Sequence, residues 1–162
     1  MKPGKGKAKG SSFERDICKR LSLWLTAGKS EDVFWRSAMS GGRATVAKGK
    51  VRQAGDITSV SPEGHILTDR LYLECKHLKD ISLDCLIKGK GNLLTIWHKT
   101  VEEAAKYDKI PCLIFRQNHY PVVFCTNYDG IKILDAIDLV CVESGDLNLI
   151  RFDDLMKSDF PL

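Results

Sequence analysis

Leu71-Tyr72-Leu73-Glu74-Cys75-Lys76-His77 is the stretch on which the architecture turns. Leu71, Leu73 and Cys75 alternate with Tyr72, Glu74 and Lys76, the period of two that sends successive side chains to opposite faces of a β-strand. The first face is core. The second sets a carboxylate beside an amine in the middle of a hydrophobic strand, where an unpaired charge is costly. A plain surface hairpin carrying a Glu to Lys ion pair shows the same tripeptide, so the function must be read from its neighbours.

Upstream, Gly55-Asp56-Ile57 opens a second short strand, Asp56 to Val60, and Ser61-Pro62-Glu63-Gly64 reads as a turn. His65 to His77 then reads as the returning strand, so the two are expected to form a hairpin that brings Asp56 beside Glu74. Two adjacent carboxylates repel unless a cation joins them. Their oxygens, with a main-chain carbonyl and waters, suit Mg²⁺. Such an ion acidifies water and polarises a phosphoryl oxygen, and Lys76 at its flank would orient the water or stabilise developing charge.

Further out, Ser11-Ser12-Phe13-Glu14 has capping-box spacing and predicts a helix that starts there and ends at Gly28. At about 100° per residue, Phe13, Ile17, Leu21 and Trp24 share one stripe. Glu14 falls inside that stripe, placed either to cap the Ser11 backbone or to join the acids. Asp32 to Met39 predicts a strand, Ser40 to Ala54 a Gly- and Lys-rich loop, Asp80 to Lys88 a short helical piece, and Leu93 to Asp108 a helix. Ile110 to Arg116 and Pro121 to Thr126 read as strands, and Ile131 to Leu162 carries little pattern. The order predicts one mixed α/β domain without internal repeats.

The 162 residues suffice for one core, and no apolar run approaches a membrane span or a secretory leader. The expected organisation is a basic flexible arm over residues 1–10, a core over 11–126 and an acidic extension over 127–162. The six cysteines stand singly in apolar runs, as reduced core residues do, which disfavours disulfides and zinc. The net charge of +4 equals the arm's Lys2, Lys5, Lys7 and Lys9. Arg36, Arg43, Lys48, Lys50 and Arg52 lie in an acid-free stretch, whereas Asp135 to Leu162 is acidic. One end of the molecule should therefore attract polyanions, unless these are merely solvated charges. Gly28-Lys29-Ser30 imitates a phosphate-binding loop, but Leu23 stands where that loop needs Gly, so no nucleotide cofactor is expected.

Glu14, Asp56 and Glu74-Cys75-Lys76 together resemble the signature of the PD-(D/E)XK nuclease superfamily, in particular its archaeal-type Holliday-junction resolvases. Arg36-Ser37-Ala38-Met39-Ser40-Gly41 and the helix and strand from Trp97 to Phe115 extend the resemblance over roughly Gly10 to Thr126. Gly55 replaces the usual Pro, and Asp80 to Asn92 looks longer than in compact resolvases, which bears on junction specificity. The resemblance implies an α/β, restriction-endonuclease-like core with a central mixed sheet flanked by helices. It implies that Asp56, Glu74 and the Cys75 carbonyl hold Mg²⁺, with Mn²⁺ as substitute, that Glu14 assists through water, and that Lys76 is the catalytic amine. Ser40 and Arg36 would sit at a loop approaching DNA.

The implied activity is a metal-dependent endonuclease cutting four-way or branched DNA in recombination or repair. Symmetric nicking of a junction requires two active sites, hence a homodimer, with Ile81 to Ile87 or the C-terminal part as candidate contacts. DNA binding through Arg36, Arg43, Lys48, Lys50, Arg52 and the arm would be salt-dependent and largely indifferent to sequence. A nuclease of the same fold acting on linear duplex or flaps is the second reading, and a non-catalytic DNA-binding module the third. A cytoplasmic setting in a bacterial, phage-infected or archaeal cell is expected, without a membrane partner.

Overall fold

A computed structural model describes residues 5–37 and 54–161. Ser40, Arg43, Lys48, Lys50 and Arg52 lie outside the described residues, as do the first residues of the arm. The central sheet has five strands in the order β3-β4-β5-β7-β6. β3 (Leu71–Leu78) runs parallel to β4 (Ile110–Gln117), while β5 (Val122–Thr126), β7 (Leu147–Arg151) and β6 (Val140–Ser144) follow antiparallel. The sheet is thus mixed, with β3 at one edge. A parallel pair needs a long crossover; here α3 (Cys85–Lys88) and α4 (Asn92–Ala105) supply it.

Helices cover both faces. On one, α1 (Lys5–Leu25) packs Phe13, Ile17, Cys18, Leu21 and Trp24 against Leu71, Leu73 and Cys75 of β3, and α5 (Tyr128–Ile133) and α6 (Phe152–Lys157) complete the layer with Ile131, Phe152 and Leu155. On the other, Cys85, Leu93 and Trp97 pack against Leu113, Phe115 and Leu149. The stripe on α1 and the alternation in β3 therefore do what their periods predict. Five cysteines are buried and all six are free thiols; Cys141 is exposed. Among the described residues no helix is long and apolar enough to cross a membrane.

Three expectations are corrected. The first helix starts at Lys5, not Ser11, so residues 5–10 are helical. Lys and Ala favour helix strongly enough to carry it through Gly6 and Gly10, and Lys9 is tied to the Asn118 side chain at the β4–β5 turn. Ser11 does not cap; its hydroxyl accepts from Arg15 one turn on, at 2.9 Å.

The expected hairpin between the second and third strands does not form. β2 (Ile57–Ser59) pairs antiparallel with β1 (Phe34–Arg36), and Pro62–Gly64 and α2 (His65–Thr68) are helical where strand was expected. Pro62, at the start of that turn with its φ preset and no N–H to offer, nucleates helix there. The chain therefore crosses over and meets β3 in the parallel sense, through the Gly55–Leu73 bridge.

Finally, residues 127–161 are no extension. They supply two strands of the central sheet, and Ile150, Phe152 and Leu155 belong to the main core. Trp24 Nε1–H donates to the Ser158 carbonyl at 2.8 Å, and Arg20 pairs with Asp153. The acids stay on loops and outer faces while the apolar residues of β7 turn inward.

Ser22 fixes the position of β1. This buried hydroxyl donates to the Cys18 carbonyl at 2.8 Å and accepts from the N–H groups of Val33 and Phe34 at 3.1 and 3.0 Å. Ser22→Ala leaves two buried donors without that acceptor, and each orphan costs about 1–3 kcal/mol. Urea unfolding should show Ser22→Ala less stable than wild type by at least about 2 kcal/mol.

Candidate active site

The free edge of β3 is where separate segments meet. The Asp56 N–H donates to the Leu73 carbonyl at 2.8 Å, and the Cys75 N–H donates to Asp56 Oδ2 at 2.9 Å. Since the N–H and C=O of one residue in an extended strand face the same edge, the Cys75 carbonyl also faces the edge on which Asp56 lies. Gly55 permits this approach: its φ is +90°, and a Cβ there would fall 2.7 Å from the Leu73 oxygen. The preceding strand is locked to the same point, because the Ser37 N–H donates to the Asp56 carbonyl at 2.8 Å.

Glu74 and Lys76 share a face of β3, as the alternation predicts, and bond each other at 2.5 Å between Oε1 and Nζ. Tyr72, two residues before Glu74 on that face, donates its hydroxyl to Glu74 Oε2 at 3.4 Å and stacks on Tyr107. Tyr72 was not foreseen as part of the site. Its signal was its place in the same alternation, a buried aromatic with a polar tip that needs a partner.

Glu14 does not cap the helix start. Its carboxylate is mostly shielded from solvent and accepts from Arg36 Nε at 2.5 Å. The structure thus sets Arg36 against an acid of the site.

Electrostatics tie the three acids together. Asp56 is 8% exposed, and burial, then the neighbouring Glu74 and Glu14, push its carboxyl up to about 6, against the opposing pull of the Cys75 N–H and Lys76. The Cys18 thiol is pushed up to about 12 by burial and by Glu14. Cys75 rises well above the usual thiol value through burial and then Asp56, with Cys18, Glu14 and Glu74 adding to it. Burial opposes the Lys76 ammonium, but Glu74 and Asp56 outweigh it and raise its pKa. Lys76 is a cation throughout the neutral range.

The donor set decides which metal these residues fit. Among the described residues no cluster of three or more His, Cys, Asp or Glu side chains is arranged to hold an ion. What the β3 edge offers is two carboxylates and a main-chain carbonyl, all oxygen, which matches a hard divalent cation that keeps much of its hydration. Cys18 and Cys75 belong to no ligand cluster of the Cys and His kind that zinc takes, among the described residues.

A mixed five-stranded sheet between helical layers fits a restriction-endonuclease-like fold, and Glu-x-Lys on its edge strand with Asp56 bonded to that edge fits a nuclease of PD-(D/E)XK type. The family model "Phage putative PDDEXK endonuclease" matches residues 5–143, and the chain belongs to that family. Nucleases of this superfamily typically use divalent metal ions, and a nuclease acts on DNA. No curated protein and no solved structure matches the chain.

Proposed function

We propose that the chain is a divalent-cation-dependent, structure-selective endonuclease that hydrolyses backbone phosphodiesters of branched DNA, four-way junctions among them. The observation that carries this reading is the meeting of Asp56, Glu74 and Lys76 at the free edge of β3, with Glu14 within electrostatic reach. Asp56, Glu74 and the Cys75 carbonyl would hold Mg²⁺ or Mn²⁺, and Glu14 would contribute through a water. When bound, the ion activates water and neutralises charge on the phosphate. Lys76 places a fixed positive charge beside that point, where a phosphoryl group accumulates negative charge as it is attacked. Tyr72 and the Cys75 N–H hold the two carboxylates in place, so the site is oriented before DNA arrives. Arg36, released from Glu14 or shared with it, lies at the entry to the basic stretch read from the sequence.

Recombination or repair is the setting such an activity serves, and symmetric cutting of a junction calls for two copies of the chain. Leu83 and Ile87, 52% and 91% exposed in the segment expected to make that contact, suit it. A nuclease for flaps or linear duplex is favoured by one observation: Trp35 is 57% exposed next to Arg36, and an exposed indole stacks on unpaired bases. A panel of four-way junction, flap and linear duplex, each incubated with Mg²⁺, separates these readings. Preferred cutting of the junction supports the proposal, preferred cutting of flaps supports the second reading, and tight binding without cutting of any substrate leaves a DNA-binding module.

The raised Asp56 carboxyl gives a pH signature. A carboxyl whose folded value, about 6, exceeds its ordinary 3.8 binds more protons folded than unfolded. Its ionisation therefore weakens the fold above pH 6, and the penalty disappears as pH falls through 6 toward 4. A cation between Asp56 and Glu74 relieves the same penalty. Scanning fluorimetry should show Mg²⁺ raising Tm more at about pH 7.5 than near pH 5, with the difference lost in Asp56→Asn. Cleavage should likewise decline as pH drops below about 6.

A further inference from the structure

Beyond the acids, a cavity of about 390 Å³ opens at the C-terminal ends of β3 and β4, lined by Lys9, His77, Arg116, Asn118, His119 and Tyr120. No acidic side chain lines it among the described residues. Its two cations come from separate elements, Lys9 from α1 and Arg116 from β4, where it pairs with His77 of β3, and His119 adds an imidazole from the β4–β5 turn. The Asn118 side-chain oxygen Oδ1 accepts from Lys9 Nζ and lies 3.2 Å from His77 Nε2. The Phe13 ring supports the wall, 5.5 Å from the His77 ring and 5.2 Å from the Arg116 guanidinium carbon. In sequence, Phe13 precedes Glu14 in α1 and His77 follows Lys76 in β3.

We propose that this cavity binds a backbone phosphate of the DNA substrate, through Lys9 and Arg116 with His119 at the rim. The Lys9 ammonium and the Arg116 guanidinium, set in a concave surface whose lining holds no acid among the described residues, focus positive potential there. The guanidinium and ammonium supply the donors a phosphodiester accepts, and with Tyr120 exposed at the rim the mouth is open to a strand. The proposal rests on the nuclease reading for the identity of the polyanion. It adds a docking point outside the basic stretch from Arg36 to Arg52, one that reads phosphate and not base sequence.

The test measures binding without cutting. Fluorescence anisotropy of labelled duplex and junction DNA is followed in EDTA over a KCl series, for wild type, Lys9→Ala, Arg116→Gln and the pair, with Lys157→Ala as a control on α6. Each cavity substitution should lower the slope of log K against log salt by about 1, the pair by about 2, and Lys157→Ala should leave it unchanged. Circular dichroism confirms folding, and Arg116→Lys should restore the slope. An unchanged slope in the folded double variant overturns the proposal, as does an equal loss in Lys157→Ala. Wild type that binds through the cavity but cuts nothing with Mg²⁺ defeats the nuclease reading alone. Wild type that cuts while the slope stays constant across variants defeats only the cavity.

Discussion

Glu74→Gln should reduce single-turnover cleavage of DNA by at least about 10³-fold while leaving DNA affinity equal to or slightly above that of wild type. Gln keeps the size and the acceptor oxygen that Tyr72 approaches at 3.4 Å, so the strand and its packing survive. What it removes is the negative charge that pairs with Lys76 at 2.5 Å and that faces Asp56. Without that charge the proposed cation site would keep one carboxylate. The affinity prediction has the opposite sign because a carboxylate facing phosphate repels it. Asp56→Asn should behave alike, and the double variant should be scarcely worse than either single one, since the acids act as a unit. Cleavage and anisotropy on the same preparations check both halves. Activity retained within about 10-fold would remove Glu74 from the chemistry.

Lys76→Ala comes next in size, with an expected loss of about 10² to 10⁴-fold in cleavage and affinity within a few-fold of wild type. The side chain is 40% exposed and its ion pair with Glu74 is correspondingly screened, so its removal should cost no more than about 1 kcal/mol of stability. A collapse of activity therefore reports the chemistry and not unfolding. Thermal melts of the variant, run beside single-turnover rates at saturating DNA, make the distinction. If DNA affinity falls as far as the rate, Lys76 is a docking residue.

The strand from Leu71 to Cys75 and the stripe from Phe13 to Trp24 could be read in sequence because each buries one face, and burial imposes a period. The same logic located Glu74 and Lys76, charges on the outward face of a strand whose other face is core. It failed between Asp56 and Leu71, where strand propensity from His65 onward competed with the nucleating effect of Pro62 and the helical turn won. Asp56 reaches Glu74 all the same, because Gly55 allows a parallel approach to Leu73 that leaves no periodic signal. Ile131 to Leu162 carries little pattern because β7 is buried almost throughout and its run is too short to distinguish strand from helix. The ion pair of Glu14 with Arg36 and the triple bonding of Ser22 are tertiary, set by how β1 lies on α1. The cavity at Lys9 and Arg116 was hidden for the same reason, its cations being more than a hundred residues apart.

A crystal grown with Mn²⁺ and phased to show anomalous scattering would place the ion itself. The site built here predicts one strong peak per chain, about 2.0–2.2 Å from carboxylate oxygens of Asp56 and Glu74 and from the Cys75 carbonyl, and its loss in Asp56→Asn. A peak elsewhere in a protein that cleaves DNA, or cleavage that persists with no ion bound at the β3 edge, would contradict it.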